Sequence, residues 1–260
     1  MLNFTERISY TKNPTAQDLF RLMNEKKTNL CLAANVITKS KLLCLADTIG
    51  PEICVLKTHI DIVEDYDNDL IIKLQRLSEQ HHFLLFEDRK FTDVGDTVRL
   101  QYQDGVYHIA DWAHIVNANL ITGPGIIDGL KQIGLYKGRG LLLVADMNNQ
   151  GTLAKDDYTK KAVDMAEANT DFIIGFISTK KISDNPGLLH FTPGVRRQAG
   201  TNAIGQPYLT PENVIGELDS DIIIVGRGIY EAKDPIVEAK QYRKLGWQAY
   251  SAKLLGLKNY

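Results

Sequence analysis

Eight short apolar runs, most of them separated by a helix-length segment, leave this chain few folds to choose from. They are Leu30–Val36, Ile53–Ile60, Phe83–Phe86, His114–Ile121, Gly140–Met147, Phe172–Ile177, Leu188–Val195 and Asp221–Gly228. Rich in β-branched residues, they read as strands buried on both faces. The segments between them carry helical spacing: Leu42, Leu43, Leu45, Ala46 and Ile49 in Lys39–Ile49, and Leu70, Ile71, Leu74 and Leu77 in Asp69–Gln80. Ala162, Met165 and Ala166 mark another helix, and Pro235–Leu255 opens after Asp234 with proline in its first turn, a favoured N-terminal signature. Buried strands alternating with helices predict an α/β fold. We expect one (β/α)8 TIM barrel spanning residues 1–260, with Asn13–Lys27 as an extra N-terminal helix. A doubly wound open sheet is the other arrangement this alternation allows. The glycine and proline clusters Gly123-Pro124-Gly125 and Thr192-Pro193-Gly194 are short, follow strands and read as βα turns rather than linkers.

Charge narrows the partner. Thirty basic and 32 acidic side chains leave a formal net charge of −2, so no global basic field recommends nucleic acid and no basic amphipathic stretch recommends a membrane. A small molecule is the expected ligand. The three cysteines, Cys31, Cys44 and Cys54, are odd in number and lack CxxC spacing, as expected of reduced thiols rather than disulfides or a zinc site. MLNFTERISY has no apolar signal core, and about eighteen consecutive apolar residues occur nowhere. The expected location is the cytoplasm.

In such a barrel, chemistry gathers where the strands end. Strand two closes on Leu56-Lys57-Thr58-His59, strand three on Glu87-Asp88-Arg89-Lys90, strand five on Ala145-Asp146-Met147-Asn148, and strand eight on Val225-Gly226-Arg227-Gly228. A charge run after a strand is usually a solvated loop. Three features point the other way here. Asp88 and Lys90 are two apart, so an extended backbone sends both side chains to one face. Lys57 stands at the equivalent height on the neighbouring strand, and Asp93 falls where the loop begins, with Gly95 permitting a tight turn. Buried singly, Lys57 or Asp88 would be costly, so opposite charges must meet.

The stretch Asp88-Arg89-Lys90-Phe91-Thr92-Asp93 fits the D-x-K-x-x-D motif of the orotidine 5'-monophosphate decarboxylase family. The resemblance covers nearly the whole chain, from TNLCLAANV through LKTHID, LLFEDRKFTDVGDTV, GLLLVADM, GFIS, TPGV and IGQPY to SDIIIVGRG. It is closest to the eukaryotic branch, which includes the decarboxylase half of UMP synthase. Sugar-phosphate decarboxylases of the same superfamily build a magnesium site from a similar motif, but place a carboxylate on strand two where this chain has Lys57.

The resemblance implies decarboxylation of orotidine 5'-monophosphate to UMP and CO2, the last step of de novo pyrimidine nucleotide synthesis, without cofactor or metal. Lys57, Asp88, Lys90 and Asp93 would form the family's alternating array, with Lys90 protonating C6 and Lys57 and Asp93 holding register by pairing. Asp93 and Thr97 would reach into the partner's site of a homodimer. Gln206, Tyr208, Arg227 and the backbone of Gly226 match the phosphate-binding positions, and Arg196–Tyr208 the mobile lid. Pro193 would line the base, while His59 would support Lys57 or the ribose, or serve only in packing. Surface pairing for Arg227 and packing for Tyr208 are the bland alternatives.

The ligand positions depart from the family in three places. Relatives carry serine and, two residues on, aspartate at the end of strand one, where this chain has Ala33 and Asn35. An amide bonds a ribose hydroxyl or Lys57 without negative charge, a loss on the order of 1 kcal/mol. Asn148 replaces a serine that reads the pyrimidine amide, and Pro207 follows Gln206 in place of glutamine, stiffening the lid. Weakened binding of ribose or base is expected. The competing expectation is a nucleotide-binding relative with lost or altered activity.

Overall fold

Parallel strands close into a barrel in the computed structural model, which describes residues 1–147, 149, 151–197, 200–201 and 207–257. The strands are β1 (Leu30–Ala33), β2 (Val55–Thr58), β3 (Leu84–Phe91), β4 (Ile115–Ala118), β5 (Gly140–Val144), β6 (Ile173–Ile177), β7 (Leu189–Thr192) and β8 (Ile222–Val225). Each pairs with its neighbours in chain order, and β1 closes the ring against β8 through Leu30↔Ile223 and Leu32↔Val225. The (β/α)8 expectation is met and the open sheet is excluded. A separate two-stranded ribbon, Gly200–Thr201 with Pro207–Tyr208, lies between β7 and β8, and only its backbone is described.

Strand polarity follows from burial. Nearly every β1–β8 side chain is buried, because helices cover the outside while opposite strands fill the inside. Phe86 on β3 meets Phe191 on the opposite strand β7 edge-on, ring centres 6.3 Å apart. Inward-facing Phe86 therefore floors the barrel mouth, and Asp88, two residues on, stands on the same face above it. A phenyl ring buried like Phe86 contributes about 1.5–3 kcal/mol.

The expected helices form at Lys39–Ile49, Asn68–His81, Asp157–Glu167 and Pro235–Leu254. Their starts obey capping chemistry: Asp67 accepts from Leu70 N–H, and Asp234 from Val237 N–H ahead of Pro235. The N-terminal helix, Pro14–Lys26, is capped by Asn13, whose amide also donates to the carbonyls of Arg139 and Asp171, just before β5 and β6. That segment thus seals the base of the barrel and leaves the other end to the βα loops. A four-residue helix, Phe4–Arg7, was not anticipated; its Phe4 ring stacks on Tyr250 at 4.1 Å.

One contact sets the loop after β3. The helices Gly95–Gln103 and Gly125–Gly134 cross backbone to backbone, so close that a Cβ on Gly129 would lie 2.1 Å from the Gly95 carbonyl oxygen. Asp93 sits immediately before that crossing.

Candidate active site

Asp88 is the centre of the cluster at the barrel mouth. Only 8% exposed, it would be unstable as a lone anion, but both of its oxygens are engaged. Oδ2 accepts from Lys57 Nζ at 2.5 Å, with His59 Nε2 at 3.2 Å, while Oδ1 accepts from Lys90 Nζ at 2.5 Å and from the amide of Asn117 at 2.7 Å. Burial alone would raise its pKa. Lys57, His59 and Lys90 outweigh that and hold the carboxyl well below the usual carboxylate range. Asp88 is an anion locked between two ammonium groups.

Register explains how three elements converge. Lys57 is level with Ala33 on β1 and Phe86 on β3, so its side chain reaches one step up to Asp88. His59, just past the end of β2, lies 3.1 Å from Lys57 Nζ. Its Nε2 either accepts from Lys57 or, protonated, donates to Asp88; one nitrogen cannot do both at once. The pairing of β3 with β4 slips between Glu87↔Val116 and Phe91↔Ala118, so Asp88, Arg89 and Lys90 bulge out opposite Asn117 alone.

Glu87 faces the other way, fully buried outside the barrel. Its carboxyl group accepts from the Thr58 hydroxyl at 2.6 Å and the Ile60 N–H at 3.0 Å, bracketing His59. Burial pushes its pKa up to about 8, against the pull of those two bonds. Neither Glu87 nor Asn117 was anticipated as part of the site. Glu87 reads in sequence as one more charge in a run, and Asn117 as a polar residue within the apolar run His114–Ile121.

A cleft of about 290 Å³ opens over the cluster. Lys57, His59, Asp88, Lys90, Ala33 and Asn35 form one wall. Met147, Ile177, Ile224, Pro193, Gly194 and Gly226 form the other. One wall charged and one apolar suits a flat polar ring carrying an anionic group. Asn35 is exposed and does not reach Lys57, whose side-chain bonds go to Asp88 and His59. Asp93 is not gathered in: its Oδ1 accepts from Val94 N–H at 2.7 Å, and Thr97 stands on the following helix. Arg227 is exposed at the start of the helix Arg227–Tyr230. Asn148 and Gln206 lie outside the described residues, and of Tyr208 only the backbone is described, paired with Gly200. A larger cavity, about 390 Å³, lies at the barrel base, where its charges pair internally as Arg7–Asp221, Lys181–Asp184 and Lys253–Asp219.

Comparison with known proteins bears on the family and the fold. Residues 28–242 match the family model described as orotidine 5'-phosphate decarboxylase / HUMPS family. The chain belongs to this family. It is 51% identical over 251 residues to orotidine 5'-phosphate decarboxylase of Phycomyces blakesleeanus, covering 95% of this chain and 94% of the relative. To the uridine 5'-monophosphate synthase of Bos taurus it is 50% identical over 242 residues, covering 93% of this chain and 50% of the synthase. Among solved structures, orotidine 5'-monophosphate decarboxylase of Methanocaldococcus jannaschii, complexed with inhibitor BMP, is similar in fold at a TM-score of 0.68 and 18% identity, over 84% of this chain and 98% of that one. The eukaryotic relatives are those expected from the resemblance over the whole chain.

Proposed function

We propose that this chain is a carboxy-lyase converting orotidine 5'-monophosphate to UMP and CO2, the last step of de novo pyrimidine nucleotide synthesis. The observation that carries this is the Lys57–Asp88–Lys90 chain of ion pairs at the mouth of the cleft, in a protein with relatives named orotidine 5'-phosphate decarboxylase. Loss of CO2 breaks the C6–carboxyl bond and leaves the electron pair in an sp² orbital in the ring plane, out of reach of the ring π-system. Fixed charge must stabilise it. Lys90 faces the developing carbanion and passes a proton from Nζ to C6; solvent then restores that proton. Asp88 holds Lys90 and, beside the substrate carboxylate, favours its departure. The proposed reaction draws on no metal or cofactor.

Remote binding completes the site. Gly226, Arg227, Gln206 and Tyr208 are assigned to the phosphate, Pro193 and Asn148 to the base, Asn35 to the ribose, and His59 to the ribose or Lys57. The working unit is a homodimer in which Asp93 and Thr97 enter the site of a second copy. Two features support this: the in-chain cluster has two lysines for one aspartate, leaving positive charge for Asp93 to balance. Val94, Ile121 and Leu153 also expose apolar side chains on the loops after β3, β4 and β5. The proposed location is the cytoplasm; among the described residues no helix is long and apolar enough to cross a membrane.

The test is the fall in ultraviolet absorbance when orotidine 5'-monophosphate meets the purified protein, with chelator present and beside Lys90→Ala. Wild type converts the nucleotide, and the variant loses at least about 10³-fold in turnover. Equal inertness of both, with UMP still bound, would overturn the assignment.

A further inference from the structure

We propose that Asn117, on β4, is a positioning residue that holds Asp88 and Lys90 in their working arrangement. The inference rests on the decarboxylase reading and assigns a role to a side chain that reading does not use.

The β3–β4 ladder fails where the cluster is built. Between Glu87↔Val116 and Phe91↔Ala118, β3 supplies three residues and β4 only Asn117. Within this bulge Lys90 has φ of +48°, in the left-handed region that non-glycine residues rarely adopt, so its backbone N–H leaves the line of the ladder. Asn117 is fully buried and answers both consequences with one amide. Its Oδ1 accepts the stray Lys90 N–H at 2.7 Å, and its Nδ2 donates to Asp88 Oδ1, also at 2.7 Å, the oxygen that receives the Lys90 ammonium. The carboxylate rotamer of Asp88 and the backbone of Lys90 are thus tied to one planar group on a different strand.

Only a side chain that is donor and acceptor at once, at this length, satisfies both atoms. Alanine leaves the partly buried Lys90 N–H without its partner and frees Asp88 Oδ1 to turn. Aspartate keeps the acceptor for Lys90 but turns a second carboxylate toward Asp88 Oδ1. The charged and titratable groups facing that position are Asp88 and Lys90 from β3 and, across Asp88, Lys57 and His59 from β2; from β5 the paired residue is the apolar Leu142. Two oxygens that close share a proton rather than both ionise. Once protonated, the introduced carboxyl donates to Asp88 as the amide does.

The experiment measures kcat and KM for orotidine 5'-monophosphate, UMP affinity and thermal midpoint for wild type, Asn117→Ala and Asn117→Asp between pH 5.5 and 9. Asn117→Ala is expected to lose about 10²-fold in kcat, the scale of a displacement near 1 Å, while KM and UMP affinity stay within threefold. Asn117→Asp is expected to be poor at high pH and to recover kcat as pH falls, about tenfold per unit, through an ionisation that wild type lacks. Wild-type kcat in Asn117→Ala overturns the proposal. So does an Asn117→Asp profile parallel to wild type, or a fall in kcat matched by equal loss of UMP binding and thermal stability, which marks a structural residue. Wild type is assayed first: absence of turnover there defeats the decarboxylase reading itself, and the proposal with it.

Discussion

Replacing Glu87 by glutamine should change the pH dependence of stability, and the size of the change can be worked from the structure. Burial first, with Asp61 adding to it, pushes this carboxyl from 4.5 up to about 8; the Thr58 hydroxyl, the Ile60 N–H and the Lys57 charge recover only part. Below 4.5 the folded and unfolded chains both hold the proton and the group is silent. Between 4.5 and about 8 the unfolded chain releases a proton that the fold retains, so stability falls as pH rises. At about 1.4 kcal/mol per pH unit, raising the pH from 5 to 8 removes at most roughly 4 kcal/mol. Glutamine cannot ionise, keeps an acceptor for Ile60 N–H and can donate to Thr58, whose own hydroxyl hydrogen can turn to the Phe86 carbonyl at 3.5 Å. Other groups cancel in the comparison. Asp88 and Asp221, held low by their cationic partners, titrate beneath this window, and His114, lowered by burial to about 4, contributes equally to both proteins. The assay is urea unfolding of both proteins at one protein concentration, since an associating chain gains stability with concentration. The advantage of Glu87→Gln over wild type should widen steadily from pH 5 towards pH 8. Parallel curves would refute the reasoning and show Glu87 ionised in the fold, its hydrogen bonds and Lys57 having outweighed burial.

Gly129→Ala drives a methyl to 2.1 Å from the Gly95 carbonyl oxygen, whereas Gly125→Ala meets nothing within 4 Å. Chemical denaturation should show a loss of about 1–3 kcal/mol or more for the first and little for the second, and a fall in turnover should accompany only the first, because Gly95 anchors the loop carrying Asp93. Asp221→Asn leaves the half-buried Arg7 guanidinium without its counter-charge at the barrel base. Thermal denaturation should register roughly 3–5 kcal/mol, with KM unchanged because the cleft is at the other end. Asn35→Asp restores a negative charge to the rim of the cleft. A charge-assisted bond to the ribose gained on the order of 1 kcal/mol should lower KM about fivefold, and an unchanged KM would mean that Asn35 does not touch the ribose.

The barrel was legible because buried parallel strands leave a hydrophobic signal that helices interrupt at regular distances. Strand ends were less so. Leu30–Val36 shortens to Leu30–Ala33 because Ala34 and Val36, though buried, lie in tight turns, with Asn35 N–H bonding to Ala33 and Val36 N–H to Ala34. At β3 the error runs in the opposite direction: the apolar run stops at Phe86, yet the strand continues to Phe91. Hydropathy measures what a side chain loses on leaving water and cannot register the partners that compensate Glu87 and Asp88. The helix Phe4–Arg7 carries a capping box between Asn3 and Glu6 but is too short to show periodicity.

The same reasoning separates the residues of the site. Asp88 and Lys90 were recognisable because two-residue spacing on a strand is a local property, and Lys57 because a neighbouring strand ends at the same height. Asn117 and Glu87 depend on non-local facts: a register slip between β3 and β4, and a loop from β2 folded over the back of β3. The bulge is also what lets the period-two rule succeed chemically. In a regular strand Asp88 and Lys90 would stand parallel on one face, their heads set by the repeat of the backbone. The left-handed turn at Lys90 swings its ammonium onto Asp88 Oδ1 while Lys57 occupies Oδ2. That conformation persists only if something binds the N–H it exposes, and here the amide of Asn117 does so. A chain could therefore keep Lys57, Asp88, Lys90 and Asp93 unchanged in sequence and still lose the geometry through one substitution on β4.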